Sequence, residues 1–106
     1  MTFSVELTER ARADLKRLFA FLLKREVERD GGDPELADRA VAAIAKGLAL
    51  LEWAPFTCRR AAEGPFLREL VIPFGRSGYV ALFEIEDLTR VWVVAVRHQL
   101  EGDYLD

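Results

Sequence analysis

The run Val91-Trp92-Val93-Val94-Ala95-Val96 is apolar at every position and constrains the fold more than any other stretch. A strand with one wet face alternates apolar and polar residues. One without alternation needs cover on both faces and a central place in its sheet. Two further strand-like runs, 66–72 and 79–86, lead up to a closing run at 91–97. Their connections, Pro73-Phe74-Gly75-Arg76-Ser77-Gly78 and Asp87-Leu88-Thr89, are short enough to imply antiparallel hairpins. At the start of the chain Phe3, Val5 and Leu7 alternate with Ser4 and Glu6, the pattern of a half-buried strand.

Between the first strand and this meander the period changes from two to that of a helix. Thr8 is placed to cap a helix in which Leu15, Leu18, Phe19 and Leu22 fall at i, i+3, i+4 and i+7, with Arg10, Arg12, Lys16, Arg17, Lys24 and Arg25 on the other faces. Gly31-Gly32 stops it. Asp33 as cap and Pro34 at the first helical position start another, along which Ala37, Val41, Ile44, Leu48 and Leu51 form a heptad-like seam that Pro55 ends. So short a break predicts an antiparallel helical hairpin. Residues 56–65 have no period and read as a loop. The expectation is an α+β chain forming a single domain over 1–106, in two layers. An N-terminal strand is followed by an antiparallel helical hairpin, which packs on one face of an antiparallel sheet completed by a C-terminal three-stranded meander. Trp53 and Trp92 are expected in the core or an interface.

Charge and residue usage narrow the functions. Eighteen acids against fifteen Lys and Arg give a net charge of −3 and a pI near 5.2, which argues against direct nucleic-acid binding by the free chain. One cysteine, Cys58, excludes an intrachain disulfide, and one histidine, His98, excludes a histidine-rich metal site. Phosphate-loop and dinucleotide fingerprints are absent, and Ser4 and Ser77 lack a nucleophile-elbow context, so no cofactor is expected. The first residues lack a basic region followed by an apolar stretch, and no apolar run approaches the roughly 20 residues needed to cross a bilayer. The expected setting is the cytoplasm, away from membranes.

The candidate functional set is basic and belongs to the sheet: Arg68 in a strand, Arg76 in a turn, Arg97 and His98 at a strand end, with Tyr104 beyond. Arg68 alternates with Phe66, Leu70 and Ile72, an unusual place for a charge. Two readings remain open: an anion-binding face, since Arg supplies bidentate contacts to phosphate or carboxylate, or a cross-strand pair of Arg68 with Glu84 or another strand acid. Arg97-His98 is either part of that face or a solvated strand end. Cys58 beside Arg59 and Arg60 is a candidate for a lowered thiol pKa, though a catalytic cysteine would need a base.

Three stretches together resemble the RelE/ParE superfamily of type II toxin–antitoxin toxins, and ParE most closely. Residues Val5-Glu6-Leu7-Thr8-Glu9-Arg10-Ala11-Arg12-Ala13-Asp14-Leu15 resemble its strand entering the first helix. Leu67-Arg68-Glu69-Leu70 and Ile72-Pro73-Phe74-Gly75-Arg76-Ser77-Gly78-Tyr79-Val80 resemble its middle hairpin, and Val93-Val94-Ala95-Val96-Arg97-His98-Gln99 its closing strand. The resemblance implies a non-enzymatic toxin, of the plasmid-stabilisation type, that binds DNA gyrase and traps its cleaved-DNA complex. It also implies a hetero-oligomer with a ParD-like antitoxin, whose ribbon-helix-helix domain binds DNA and whose tail folds over the toxin. On that reading Arg68, Arg76, Arg97 and His98 are target-binding candidates. Leu15, Phe19, Phe21 and Leu23, more apolar residues than one stripe requires, are antitoxin-binding candidates. The alternative within the superfamily is a RelE-like ribosome-dependent messenger-RNA endoribonuclease, with Arg68, Arg97, His98 and Tyr104 as its catalytic set. Against it, Gln99 stands where active relatives commonly have arginine, and Lys46 is the only lysine after position 24. A third reading is a non-toxic antitoxin-binding module of the same fold.

Overall fold

The computed structural model describes residues 2–100, so Tyr104 lies outside the described residues. Strand β1 (Ser4–Leu7) leads into helix α1 (Glu9–Glu28), then α2 (Glu35–Ala49). Two 3-10 turns, Leu50–Glu52 and Pro55–Thr57, carry the chain to β2 (Arg59–Arg60) and the meander β3 (Leu67–Phe74), β4 (Ser77–Ile85) and β5 (Arg90–His98). The five strands form one sheet in the order β1-β5-β4-β3-β2. The expected two-layer α+β arrangement holds: both helices lie on one face of the sheet, and their apolar stripes build the main core with the inward residues of the meander.

The sheet is mixed rather than wholly antiparallel. β1 runs parallel to β5, Val5 opposite Val91, because the helical hairpin returns the chain to the far side of the sheet before the meander closes against β1. Residues 56–65 are not all loop. Pro55–Thr57 makes a single 3-10 turn, and Arg59 and Arg60 pair with Glu69 and Arg68 as a short outer strand. The β3–β4 hairpin is also tighter than expected. Its strands continue to Phe74 and from Ser77, leaving Gly75 and Arg76 as a two-residue turn. Gly75 has φ +62°, so the first central position needs glycine, as in a type II′ turn.

β5 is central, as its unbroken apolar run predicts, but part of that run has a second cause. The pairing with β4 shifts register, with Leu82 opposite Ala95 and Phe83 opposite Val93, so Val94 is an extra residue. Val91, Val93 and Val96 therefore reach the helix-side core, while Ala95 and Val94 join Ala61, Leu67, Val80 and Leu82 in a small cluster on the other face. Backbone groups around the bulge are met from α1. The Thr8 hydroxyl donates to the Val94 carbonyl (3.1 Å), and the buried Asp14 carboxylate accepts from the Val96 N–H (2.9 Å).

Helix ends follow the sequence signals with small shifts. Thr8 caps α1 through Ala11 N–H at 3.1 Å. Asp33 accepts the Glu35 N–H at 3.0 Å, so its carboxylate caps α2 although the regular helix begins at Glu35 rather than Pro34. Of the two places expected for Trp53, the core is not the one it takes: it is 68% exposed after α2, because the 3-10 turn that buries Leu51 leaves it outside. Trp92 is half-buried and donates from Nε1 to Glu86 (3.0 Å).

Candidate functional site

The fourth helical residue after another lies roughly above it, so Arg17, Phe21 and Arg25 form one line along α1 beside the buried Leu18 and Leu22. That line is one wall of a groove of about 740 Å³. Leu36 of α2 contributes to it. Phe74, Gly75, Arg76 and Ser77 of the β3–β4 turn, with Tyr79, His98 and Leu100, form the rest. Phe21 is 62% exposed despite its apolar ring. Among the described residues, three arginines and no carboxylate line the groove. Two acids buried behind the helical arginines face them: Asp14 lies 3.8 Å from Arg17, and Glu26 accepts from Arg25 Nε at 3.0 Å. An apolar floor with a cationic rim suits a segment that presents apolar side chains together with carboxylates.

On the groove His98 is held by neighbours that include Leu100, Ser77 and Tyr79. Leu100 N–H donates to its Nδ1 at 3.1 Å, so in the neutral ring the proton sits on Nε2, which donates to Ser77 Oγ at 3.0 Å. The Tyr79 ring meets the imidazole edge-on at 5.4 Å. Burial pushes the Tyr79 phenol pKa up, so Tyr79 stays neutral and forms part of the apolar floor.

The other candidates are elsewhere. Arg68 does not pair with Glu84, which lies opposite Leu67 in the register. Its side chain is on the helix side of the sheet, where Nη1 donates to the carbonyls of Cys58 (2.6 Å) and Phe56 (3.4 Å) and the guanidinium lies over the Phe56 ring, 5.7 Å from its centroid. Arg97 points to the opposite face. Its Nη2 stands 4.0 Å from Glu69, which also meets Arg59 at 3.3 Å, and its Nη1 donates to the carbonyls of His98 and Gln99. Arg68 is paired with Phe83 and His98 with Tyr79, four residues apart on β4, a separation of about 13 Å along the strand. The structure thus brings Arg76 and His98 together on the groove and separates both from Arg68 and Arg97. Burial pushes the Cys58 thiol pKa up, outweighing the opposite pull of Arg68, so Cys58 is not an activated thiolate. Among the described residues no group of three His, Cys, Asp or Glu side chains is placed to hold a metal ion.

Of the apolar candidates on α1, Phe21 lines the groove, whereas Leu15, Phe19 and Leu23 lie against the core. Sequence reasoning missed Arg17, Arg25, Leu36, Phe74 and Leu100. The spacing of Arg17, Phe21 and Arg25 was the available signal. The contribution of the β3–β4 turn was not, since it depends on how the hairpin folds against α1.

Comparisons with known proteins agree with this architecture. A family model described as the ParE toxin of the type II toxin–antitoxin system parDE matches residues 5–102. The chain is similar to Toxin RelE1 of Caulobacter vibrioides, 35% identical over 96 residues, spanning 87% of this chain and 94% of that protein. It is also similar to Toxin RelE3 of the same organism, 36% identical over 98 residues, spanning 92% and 96%. A solved structure described as the chromosomal ParDE TA system from P. aeruginosa shares the fold, with a TM-score of 0.72 and 23% identity, over 92% of this chain and 96% of that one.

Proposed function

Because this chain belongs to the ParE toxin family of type II toxin–antitoxin systems, we propose that it arrests growth by binding DNA gyrase and holding the cleaved-DNA complex. Its partner is then a ParD-like antitoxin, whose apolar and acidic segment occupies the groove between α1 and the β3–β4 turn. The observation that carries the gyrase reading over nuclease chemistry is the separation of the basic residues. A ribonuclease must place a base and charge-stabilising cations around one scissile phosphate. Arg68 is committed to the carbonyls of Phe56 and Cys58, Arg97 faces Glu69 across the sheet, and both ring nitrogens of His98 are engaged. That arrangement supports action through binding. It also leaves Arg76 and His98, rather than Arg68 and Arg97, as the polar residues best placed to meet another protein.

The names of the two Caulobacter relatives favour the second reading, a RelE-like endoribonuclease acting on messenger RNA. Purified, antitoxin-free chain distinguishes the two. Loss of supercoiling with accumulation of double-strand breaks supports the gyrase reading, and messenger cleavage on ribosomes with gyrase unaffected supports the nuclease. A gyrase target also places the protein in the cytoplasm. No described helix is long and apolar enough to cross a membrane.

A further inference from the structure

The outer face at the end of α2 is apolar although no described element covers it. Helical spacing puts Ala45, Lys46 and Ala49 on the outer side of its last turns, and all three are exposed. The 3-10 turn that follows sets Trp53 in line with Leu50, because side chains three apart eclipse in that helix. Leu50 is 60% exposed and Trp53 68%. Phe56, 55% exposed, follows in the second 3-10 turn, which packs against the first. Its ring is held by Phe3, edge-on at 6.0 Å, and by the Arg68 guanidinium. An aromatic side chain carries about 150–250 Å², so Leu50, Trp53 and Phe56 together leave roughly 300–400 Å² of apolar surface in water. That matches the largest patch of a typical monomer, and such patches are often functional. The face is separate from the groove, since Leu50 lies about 20 Å along α2 from Leu36 at the rise of an α-helix.

Charge, shape and area select a second copy of this chain as what covers the face. Lys46 and Glu52 stand at equal steps before and after Ala49, both exposed, and neither side chain has a hydrogen-bond or ion-pair partner among the described residues. A two-fold axis at Ala49 brings each Lys46 to Glu52 of the other copy, so one face satisfies both signs twice. A uniformly acidic or basic partner would match one of these charges and repel the other. The same axis sets each Trp53 over Ala45 of the other copy, where a methyl group leaves room for an indole. Interfaces are about 60% apolar, so this apolar centre implies roughly 1,000–1,300 Å² buried in all, just above what a specific interface needs.

We propose that the chain pairs two-fold through the end of α2, with Trp53 of each copy seated on Ala45 of the other and Lys46 of each facing Glu52 of the other. The pairing leaves the groove of each copy open and does not depend on the gyrase reading.

The test is the mass of the full, antitoxin-free chain by sedimentation equilibrium, from micromolar to submillimolar concentration. Pairing predicts a rise from 12.0 kDa toward twice that value and no further, with dissociation in the micromolar range. Trp53→Glu should raise the dissociation constant about 30-fold or more, the loss of a buried aromatic anchor. It should leave the Tm of the dilute protein nearly unchanged, because Trp53 is exposed in the single chain. Lys46→Glu and Glu52→Lys should each weaken pairing several-fold, and the double variant should restore it to within about twofold. A chain that stays at 12.0 kDa throughout, or a dimer that Trp53→Glu leaves intact, overturns the proposal. A double variant no tighter than the single ones rules out the Lys46–Glu52 register and overturns it too. So does a mass that climbs without limit, which would mean head-to-tail contacts rather than a closed pair. If the chain is a monomer alone and Trp53→Glu instead weakens binding of a ParD-like antitoxin, the antitoxin covers this face and the pairing fails.

Discussion

A buried carboxylate is tolerated only where donors surround it, and Glu26 shows what that requires. It lies almost wholly inside, at the last turn of α1, and accepts from the Asp33 N–H across the interhelical turn, from Arg25 Nε and from Arg29. Gly32 is the residue that lets this turn close, because a Cβ there would stand 1.9 Å from the Glu26 carbonyl oxygen. The Asp33 amide holds the Glu26 carboxyl pKa below its ordinary 4.5, with Arg25 and Arg29 adding to the effect against the cost of burial. A folded-state pKa below the unfolded one contributes stability that is present above pH 4.5 and is lost as pH falls through the folded value. Glu26→Gln is therefore expected to lower Tm at pH 7 and to flatten the fall in Tm between pH 5 and pH 3. Thermal denaturation of both proteins across that range checks this. Parallel curves, offset by a constant amount, would show that the carboxylate charge is not what the interhelical turn depends on.

At the scale of elements, the junction of β1 with α1 supports the bulge of β5. Thr8 serves three groups: its hydroxyl donates to Val94 and accepts from Ala11, and its N–H donates to Val93. One turn later Asp14 takes the Val96 N–H. Asp14→Ala leaves that buried donor without its acceptor and should cost about 1–3 kcal/mol, while Asp14→Asn keeps a carbonyl oxygen in place and should cost less. Chemical denaturation of the two variants measures the difference, and equal losses would mean that the bond to Val96 contributes nothing specific. The same junction shows where sequence stops being informative. A period of 3.6 located both helices and a period of 2 the first strand, because each follows from one element's own geometry, and short apolar runs bounded by turn residues located the meander. The bulge at Val94 was disguised as continuous apolar burial, and Asp14 and Glu26 looked like surface acids although they fall at four-residue steps with the core residues Leu18 and Leu22. The parallel pairing of β1, the short β2 strand and the exposure of Trp53 depend on residues distant in sequence, and no local pattern encodes them. For the site, Phe21, Arg76 and His98 were legible as candidates, but their meeting in one groove was not. Arg68 was correctly singled out as an odd charge in a strand, and its partners proved to be backbone carbonyls, which no sequence pattern marks.

Over the whole molecule, Arg68 and the groove lie toward opposite ends of the strands, and Arg97 on the opposite face of the sheet. This separation gives the four basic candidates different consequences when they are changed. Arg68 joins the 3-10 segment to β3 through two carbonyls, so Arg68→Gln is expected to lower stability by about 1.5–3 kcal/mol, the range for hydrogen bonds made by charged groups. Arg97 and Glu69 form a shielded pair, with side chains 15% and 12% exposed, and Arg97→Gln removes the cation from beside that acid. A toxin that acts by binding through the groove end needs these arginines only for its fold. Growth arrest by either variant should then track the amount of folded protein and fall no further. A nuclease that used them to stabilise phosphate charge would behave differently, losing about 100-fold or more in messenger cleavage per folded molecule. The deciding measurement is growth arrest normalised to folded protein, with Arg76→Glu as the contrasting variant. Arg76 stands at an exposed turn, so Arg76→Glu should leave Tm nearly unchanged while weakening association with the antitoxin. If Arg68→Gln and Arg97→Gln instead abolish arrest while remaining folded, the separated arginines act on the target directly, and the binding-only reading fails.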